Sequence, residues 1–422
     1  MSGIIGVLSN KEDVSVQLLY GLYGLQHRGQ LNAGVGILNG GAHVFHGEGS
    51  IKDAFNEKEV IACSGKRGLG HVRYGIYEGY AEHDIDMPCY SEKDKAFVSL
   101  DGNILNPDFR LSDFIDAVKA GNKTLKKYLQ TLKGAFALMY MDESRFVCIR
   151  DRWGLKPLTA SIESDRIIVA SESCAIDTLQ GSAIREIMPG EVLSCEDGIT
   201  STYYYAEPHQ HMCAFEFVYL ARPDSYMSDK SVYRLRSDLG RTLYQECPTE
   251  GDIVVGAPDS GLTAARGYAE ASGIPCQDGI IKNRYIARTF INPKDSARKV
   301  DVSIKLNPVR EIIEGKRIIL VDDSIVKGIT IMQTVAILRK AGAKEVHVRI
   351  SAPPVYNYCS LSLDMPDNGS LVAPDRSIEE IREMIGADSL YYISLDGFVG
   401  NMQNVGMCTH CFKSDYPIKE EA

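Results

Sequence analysis

The stretch "RIILVDDSIVKGITI" (Arg317–Ile331) decides the fold of the C-terminal half of this chain. Four apolar residues lead into two carboxylates, Asp322 and Asp323, and a loop with Gly328 and Thr330 precedes a helical pattern. This order predicts a buried strand followed by a helix, as in a parallel sheet, where ligands bind at the carboxyl ends of the strands. The next helix offers backbone N–H groups to phosphate, so we predict a phosphate site whose carboxylates bind a ribose diol, directly or through Mg²⁺. A plain helix-capping turn is the alternative.

A second strand and turn of the same kind lies upstream, in "VVGAPDSG" (Val254–Gly261). Taken alone, this turn is as easily structural as functional. Paired with the first loop, it indicates a ligand that carries two separate phosphate groups. From Asp252 onward, apolar strands alternate with predicted helices over residues 263–272 and 331–342, and "EVHVRIS" adds a further strand. The alternation predicts an α/β domain with a parallel sheet.

The N-terminal half has a different pattern, with short strands and few helices. Strand-like runs are "IIGVL", "AGVGIL", "AHVFHG", "AFVSLDGNI", "GAFALMYM" and "RFVCIRD", and helical spacing occurs in "VSVQLLYGLYGLQ" and "TLKKYLQTL". These runs predict an α+β domain built on antiparallel sheets. We place this domain over residues 1–207 and the α/β domain over residues 208–422.

Composition narrows the class of protein. The chain has 422 residues, 44% of them hydrophobic and 24% charged, which is typical of soluble proteins. Its net charge of −10 argues against a nucleic acid or an anionic membrane as partner. No apolar run approaches a membrane span and no export leader is seen, so the 11 cysteines are expected to be reduced thiols in the cytoplasm.

Several long motifs occur in an order that resembles one family. They are "GLQHRGQ", "GHVRYG", "GAFAL", "RDRWGLKPL", "ASESCAID", "PDSG", "IIKNRYIARTFI", "IKLNPVREIIEGKRIILVDDSIVKG" and "LRKAGAKEVHVRISAPPV". The chain resembles the glutamine phosphoribosylpyrophosphate amidotransferases (amidophosphoribosyltransferases), which catalyse the first committed step of purine synthesis. The resemblance extends over essentially the whole chain and is densest over residues 213–355. It implies an N-terminal-nucleophile (class II glutamine amidotransferase) sandwich followed by a type I phosphoribosyltransferase domain.

The resemblance also implies the residues of the transferase site. In the family, the loop matching Lys327–Thr330 holds the 5-phosphate, the paired aspartates lie by the ribose and metal, and the upstream turn binds pyrophosphate. A segment beginning at Lys282 and Asn283 closes over the substrate and excludes water. Mg²⁺ is expected on Ser260 and the aspartates. The implied set is Asp259, Ser260, Gly261, Lys282, Arg284, Tyr285, Lys305, Asp322, Asp323, Ser324, Lys327, Gly328 and Thr330.

One departure from the family lies in the phosphate loop. The family usually has Arg-Gly-Thr-Thr-Ser where this chain has "KGITI" (Lys327–Ile331). Ile329 and Ile331 therefore replace two hydroxyl-bearing residues, while Thr330 and the backbone donors are kept. We expect phosphoribosylpyrophosphate to bind more weakly, or the preference to shift toward another ligand.

The catalytic positions of the glutaminase half depart further. In the family, the residue matching Ser2 is a cysteine exposed by N-terminal processing, whose thiolate attacks glutamine with help from its own α-amine. Removal of Met1 is expected to leave Ser2 with a free amine as well, but its hydroxyl is a far weaker nucleophile. An engineered Cys-to-Ser change would account for this single difference.

Two more differences argue against that simple explanation. The family's Asn-Gly-Asn turn supplies the oxyanion hole, and this chain has Asp101 at its first position in "LDGNIL". The family's Ser-Asp-Thr-Glu segment, which grips the glutamine amine, has no counterpart between Asn103 and Gly134. Arg73, matched to the residue that binds the glutamine carboxylate, is kept, but "GI" at positions 75–76 replaces Ser-Thr. We therefore predict that glutaminase activity is lost.

Four cysteines have an implied role. "CTHC" (Cys408–Cys411) alone is compatible with metal binding, redox chemistry or chance, and no second C-x2-C exists. A branch of the family carries a [4Fe–4S] cluster on four cysteines, which match Cys213, Cys359, Cys408 and Cys411. The seven other cysteines are predicted to be core thiols, and His410 a solvated loop residue.

Two hypotheses of different class remain. The first is an enzyme that makes a phosphoribosylamine-type product from phosphoribosylpyrophosphate, or a related ribose phosphate, with ammonia or another nucleophile. The second is a non-catalytic iron–sulfur regulatory or scaffold subunit that pairs with an active relative. The expected partners include an ammonia-supplying or active paralogous subunit, and we expect a homo-oligomer, a dimer or a tetramer.

Overall fold

The computed structural model describes residues 2–74, 86–283, 306–361, 371–403, 405–414 and 416–417, and every structural statement below concerns these ranges. Within them, no helix has the length and apolar character that crossing a bilayer demands. The predicted site residues Arg284, Tyr285 and Lys305, and the "GI" pair after Arg73, lie outside the described residues.

The N-terminal half consists of two antiparallel sheets, as predicted from its strand pattern. The strands are β1 (Ser2–Ser9), β2 (Asn32–Leu38), β3 (Ala42–Glu48), β4 (Arg67–Arg73), β5 (Cys89–Ser91), β6 (Ala96–Ile104), β7 (Gly134–Met141), β8 (Arg145–Arg150), β9 (Thr159–Ile162), β10 (Arg166–Ala170), β11 (Ile184–Glu186), β12 (Glu191–Glu196) and β13 (Ile199–Tyr204). One sheet has the order β11-β9-β10-β1-β4-β2-β3 and the other β13-β12-β8-β7-β6-β5.

The first strand is buried on both faces because it lies between the second sheet and a helix. Ile4 and Leu8 face the second sheet and share a core with Phe97 of β6. Ile5 and Val7 point the other way, toward the helix Ser15–Leu25. Alternation of side chains along a strand therefore sends Ser2, which is of the same parity as Ile4, toward the space between the sheets.

Helices of the N-terminal half cover the outer faces of these sheets. They are Ser15–Leu25, Ile51–Ala54, Glu57–Ala62, Leu111–Lys119, Asn122–Thr131 and Ser173–Thr178, with a 3₁₀ turn at Gln26–Arg28. The two predicted helices are present. The helix Leu111–Lys119 was not predicted, and it packs through Phe114 and Ile115 on the six-stranded sheet.

The C-terminal half has ten strands among its described residues, and four of them form the predicted parallel sheet. Its strands are β14 (Met212–Cys213), β15 (Tyr226–Met227), β16 (Lys230–Ser231), β17 (Ile253–Gly256), β18 (Ile280–Lys282), β19 (Leu306–Pro308), β20 (Arg317–Asp322), β21 (Glu345–Ile350), β22 (Ser389–Tyr392) and β23 (Met407–Cys408). The central sheet has the order β17-β20-β21-β22, and its three neighbouring pairs are all parallel.

The helices of this half pack around the parallel sheet. They are Val232–Glu246, Leu262–Ser272, Arg310–Ile313, Ile329–Lys340, Ile378–Ile385, Leu395–Gly400 and His410–Lys413, with a π-helical turn at Glu216–Leu220. The helix predicted over residues 331–342 begins two residues earlier, directly after Gly328. This shift changes which side chains of the phosphate loop face the core.

Two of these helices cross at a pair of glycines. A Cβ atom on Gly240 would lie 1.9 Å from the Ala264 carbonyl oxygen, and one on Gly267 would lie 1.8 Å from the Ser237 carbonyl oxygen. The backbones of the helices Val232–Glu246 and Leu262–Ser272 thus touch directly, which fixes the turn before the second helix against the sheet.

We predict that Gly267→Ala lowers the free energy of unfolding by about 2 kcal/mol or more, because the added methyl meets rigid backbone. Gly400→Ala is the matched control, since no atom of the described residues, apart from its chain neighbours and its own helix backbone, lies within 4 Å of the added carbon. Urea denaturation of both variants measures the difference. An unchanged midpoint for Gly267→Ala would contradict the close crossing.

Candidate active site

The residues predicted to form the transferase site lie at the carboxyl ends of β17 and β20. The turn after β17 rests directly on the backbone of β20. A Cβ atom on Gly261 would lie 2.5 Å from the Val321 carbonyl oxygen and 3.0 Å from Asp322 Cα. Only glycine allows this approach, which brings the Asp259–Ser260 turn beside the paired aspartates.

Both aspartates are buried at this edge of the sheet. The Asp323 N–H donates to Asp322 Oδ1 at 2.9 Å, and the hydroxyls of Ser260 and Ser324 donate to the Asp323 carboxylate. Burial, together with repulsion from Asp323, raises the pKa of Asp322 well above its ordinary value. Burial also raises the pKa of Asp323, against those hydrogen bonds. Two carboxylates held this way favour a cation beside them.

Arg236 is a site neighbour that sequence reasoning missed. It lies on the helix Val232–Glu246, is almost wholly buried, and donates to the carbonyl oxygens of Phe217 at 2.7 Å and Ala221 at 2.8 Å. Its positive charge acts on Asp323. No signal in the sequence distinguishes it from the other arginines, since its place beside the sheet depends on the helix crossing.

The phosphate loop leads into the helix Ile329–Lys340. Gly328 has φ +78°, a left-handed conformation that favours glycine, and its carbonyl oxygen accepts from the Met332 N–H at 3.0 Å. The first N–H groups of this helix have no partner within it and point toward the loop, as phosphate binding requires. Lys327 and Thr330 are exposed beside them.

The two isoleucines of the loop have different environments. Ile331 is 2% exposed and packs in the transferase core, near Ile325 and Val335. Ile329 is 41% exposed at the first position of the helix. The sequence grouped both as replaced loop residues, but only Ile329 presents its side chain at the surface of the loop.

Lys282 and Asp259 form an ion pair across the mouth of the site. Lys282 ends β18, and Asp259 is in the exposed turn after β17. Because both side chains are partly exposed, the pair can open at small cost when an anionic ligand attracts the lysine. Asn283 follows directly, and the rest of the predicted closing segment lies outside the described residues.

A second site lies at the N-terminus, between the two sheets of the other half. The Ser2 N–H donates to Asp101 Oδ1 at 2.9 Å, and Lys156 Nζ lies 3.1 Å from the same oxygen. Arg28 Nη2 is 3.6 Å from Asp101 Oδ2. The side chains of Arg28, Asp101 and Lys156 are wholly buried. Asp101 is therefore the anion of a buried ion cluster and not an exposed turn residue.

The ionisation of Asp101 follows from these contacts. Burial alone would raise the pKa of its carboxyl, but the Lys156 ammonium and the Arg28 guanidinium outweigh burial and hold the pKa below its usual range. An ionised carboxylate accepts hydrogen bonds and donates none. Lys156 is within the motif "RDRWGLKPL", yet sequence reasoning did not pair it with Asp101, because 55 positions separate them.

Arg28 links this corner to the transferase half. Its guanidinium donates to both Glu216 carboxylate oxygens at 2.9 and 2.8 Å and to Glu172 Oε1 at 2.6 Å, and its Nε donates to the Ser2 carbonyl oxygen at 2.9 Å. Glu172 also accepts from the Ser225 hydroxyl at 2.7 Å. The buried network therefore spans residues on both sides of the connection 205–211.

Arg73, the predicted carboxylate-binding residue, ends β4 directly opposite Ser2 and is mostly buried. His71 precedes it on the same face of β4, and burial lowers the pKa of its imidazole to about 3, so the ring is neutral. Between Asn103 and Gly134 the chain forms the two helices that end at Lys119 and Thr131.

The four implied cluster cysteines lie in one buried region of the C-terminal half. Cys213 and Cys408 are neighbours on the parallel pair β14–β23. Cys411 forms a thiol hydrogen bond with Cys359, and the charges of Cys213 and Cys408 also act on it; these contacts and burial raise its pKa. In the described ranges, no group of three or more His, Cys, Asp or Glu side chains is arranged to hold a single metal ion.

The remaining thiols differ in part from the core assignment. Cys63, Cys148, Cys174 and Cys195 are buried, as predicted, and Cys89 and Cys247 are half-buried. Cys276 is exposed; it follows the helix Leu262–Ser272 and pairs with Val254 of β17 through an isolated parallel bridge. The prediction of a core thiol was wrong there. His410, predicted to be a solvated loop residue, begins a short helix. Its ring stacks on that of Tyr416, with the two ring centroids 3.4 Å apart.

Comparison with known proteins identifies both halves. A family model described as a glutamine amidotransferase domain matches residues 110–178, and one described as a phosphoribosyl transferase domain matches residues 230–354. An amidophosphoribosyltransferase from Mycobacterium tuberculosis is 40% identical over 99% of this chain and 86% of its own length. The Bacillus subtilis enzyme is 37% identical over 99% of this chain and 94% of its own length. The chain belongs to the amidophosphoribosyltransferase family.

Solved structures agree with this membership. The glutamine phosphoribosylpyrophosphate amidotransferase of B. subtilis, solved with ADP and GMP, is 36% identical to this chain and has a TM-score of 0.89. The match covers 98% of this chain and 97% of the B. subtilis chain. A structure described as the allosteric regulatory enzyme of purine biosynthesis has a TM-score of 0.88 at 35% identity, with 98% and 96% covered. The predicted family and the predicted pair of folds are confirmed.

For this family member, we predict that substitutions at the two loop isoleucines lower the free energy of unfolding to different extents. Ile331→Ser should lower the free energy of unfolding by about 3 kcal/mol or more, because it empties a core position and buries a hydroxyl. Ile329→Thr should stay within about 0.5 kcal/mol of the unchanged protein, since its side chain is at the surface. Urea denaturation measures both values. Equal losses would contradict the different environments of the two residues.

Proposed function

We propose that this member of the amidophosphoribosyltransferase family transfers phosphoribosyl groups from phosphoribosylpyrophosphate to free ammonia, or to another nucleophile, and does not hydrolyse glutamine. The observation that carries the proposal is the buried carboxylate of Asp101, which accepts a hydrogen bond from the Ser2 N–H and forms an ion pair with Lys156. The transferase half keeps its two loops and paired aspartates, so we propose that phosphoribosyl transfer is retained and only glutamine hydrolysis is lost.

The oxyanion of amide hydrolysis would lack one of its donors in this corner, the side-chain amide that Asp101 replaces. Removing one such donor raises the barrier by about 2.7–4 kcal/mol. Asp101 adds a negative charge and stays ionised, because Lys156 and Arg28 hold its pKa down. The Ser2 hydroxyl is also a weaker nucleophile than a thiolate. These two deficits are separate, so repairing the nucleophile alone would leave the barrier high.

The transferase chemistry fits the arrangement at the sheet edge. Displacing pyrophosphate from C1 of an activated ribose needs positive charge beside the departing oxygens. Lys282 lies at the turn that would hold pyrophosphate, and the N-terminus of the helix Ile329–Lys340 would hold the 5-phosphate. Asp322 and Asp323 lie between these two places and would accept hydrogen bonds from the ribose hydroxyls.

Mg²⁺ fits the same donors. Two buried carboxylates with raised pKa values gain from a cation, and Ser260 already contacts Asp323. Mg²⁺ is commonly bound by one or two carboxylates together with substrate phosphates and water. Only part of its ligand set is therefore expected from this chain. When bound, the ion would neutralise the charge that develops on pyrophosphate.

We also propose a [4Fe–4S] cluster on Cys213, Cys359, Cys408 and Cys411. The donors suit it, because four buried thiols share one region and thiolates are the usual ligands of such clusters. The Tyr356 N–H donates to the Cys411 carbonyl oxygen at 2.8 Å, which ties the C-terminal segment to the chain around Cys359. The cluster would hold this segment in place.

We predict that the protein releases pyrophosphate from phosphoribosylpyrophosphate with Mg²⁺ and ammonium, and not with glutamine. Asp323→Ala should lower the rate by roughly 100-fold, because it removes a buried carboxylate from the ribose and metal position. A coupled pyrophosphate assay measures both. The Ser2→Cys variant should still release no pyrophosphate with glutamine, since the Asp101 carboxylate remains.

Three results would contradict these expectations. Glutamine-dependent turnover by Ser2→Cys would show that the corner still supports hydrolysis. Turnover with glutamine by the unchanged protein would refute the loss outright. A protein that binds neither phosphoribosylpyrophosphate nor a ribose 5-phosphate at millimolar concentration would favour the non-catalytic scaffold instead.

For the cysteines, we predict that protein purified without oxygen is brown and contains four irons per chain. Cys408→Ser should lose this colour and iron, whereas Cys276→Ser, at an exposed thiol, should keep them. Iron analysis and visible absorption measure the outcome. A colourless or zinc-loaded anaerobic preparation would refute the cluster.

A further inference from the structure

The corner around Asp101 has more acceptors than the described donors satisfy. Asp101 Oδ2 and the Ser99 hydroxyl are buried without a hydrogen-bond partner among the described residues. Ser99 and Asp101 are two apart on β6, so both side chains face the space between the sheets, as Ser2 does. A backbone amide at Ser2 offers one N–H, which Asp101 Oδ1 already accepts. A group with several N–H donors would fit this corner better.

The buried charged side chains around Asp101 also indicate that a positive group would fit this corner. Arg28 and Lys156 contact three carboxylates, those of Asp101, Glu172 and Glu216. All five side chains are buried, and a buried carboxylate in excess is costly.

Neither histidine near the cluster, His71 or His27, supplies a cation to Asp101. His71 is neutral, because burial lowers its pKa to about 3. His27 contacts Glu172 at 2.7 Å from the partly exposed rim, away from Asp101. Arg73 ends β4 opposite Ser2 and adds positive charge at the edge of the corner. The group that lies against the Asp101 carboxylate, beside Lys156, is the nitrogen of Ser2.

We propose that the Asp101 corner is an internal binding site for an ammonium group, filled by the α-ammonium of Ser2 once the chain is cleaved before that residue. An aminopeptidase breaks the peptide bond with one water, which leaves the carboxylate on residue 1 and the amine on Ser2. At neutral pH that amine binds a proton, since α-amines have pKa values of about 7.7–8.0. Its extra N–H groups then face the open acceptors.

The ammonium would join the two halves of the protein. It balances Asp101, and the same Ser2 backbone accepts from Arg28, whose guanidinium reaches Glu216 in the transferase half. Held as a cation, the amine cannot take a proton from the Ser2 hydroxyl. For this functional consequence, the proposal rests on the proposed loss of glutaminase activity; the structural role is independent of it.

The first experiment reads the amine directly in the full-length protein. Intact mass and N-terminal sequencing should show Ser2 as the first residue. A brief pulse of an acylating reagent at neutral pH should leave the α-amine unmodified in the folded protein and modify it after unfolding in urea. A retained residue before Ser2, or equal acylation in both states, would overturn the proposal without any assay of glutamine or pyrophosphate.

The second experiment tests charge balance through stability. Asp101→Asn leaves two cations without their carboxylate and should lower the thermal midpoint by roughly 10 °C. Asp101→Asn combined with Lys156→Gln should recover only part of this loss, because the Ser2 ammonium still lacks its partner. Recovery to the midpoint of the unchanged protein would show that Lys156 alone depends on Asp101, and would overturn the proposal.

Discussion

The buried guanidinium of Arg28 is the contact on which the arrangement of the two halves depends. It binds Glu216 through two hydrogen bonds, Glu172 through a third and the Ser2 carbonyl oxygen through its Nε. A planar fork of five donors suits this set of acceptors, whereas a lysine could not make the paired contact. Because every partner is buried, removing any one of them would leave a charge without compensation.

This network gives the glutaminase-like half a structural role that does not depend on glutamine hydrolysis. Its corner carries structural contacts that reach into the transferase half, including Glu172 with the Ser225 hydroxyl and Asn103 with the Ser360 carbonyl oxygen at 2.8 Å. The second of these contacts touches the residue after Cys359. The N-terminal half therefore supports both the transferase core and the cysteine region, whatever reactions it still performs.

The transferase site depends on close approach of backbone more than on any side chain. Gly261 lets one turn rest on β20, and the glycine pair Gly240 and Gly267 fixes the helix behind that turn. With these approaches in place, Asp322 and Asp323 are buried yet adjacent. Burial raises the pKa of both carboxyls, and repulsion from Asp323 raises that of Asp322 further. A cation bound beside the two carboxylates would relieve that repulsion.

The sequence by itself determined the two folds and the family, because strand and helix periodicity and short loop motifs are local properties. It located Asp322 and Asp323 at a strand end and grouped the four cysteines. It could not assign Arg28, Lys156 or Arg236, whose roles depend on partners far away in the chain. It also treated Ile329 and Ile331 alike, since the start of a helix within two residues decides which one faces the core. Only the tertiary structure decided these points, because burial and charge pairing arise when distant segments pack together.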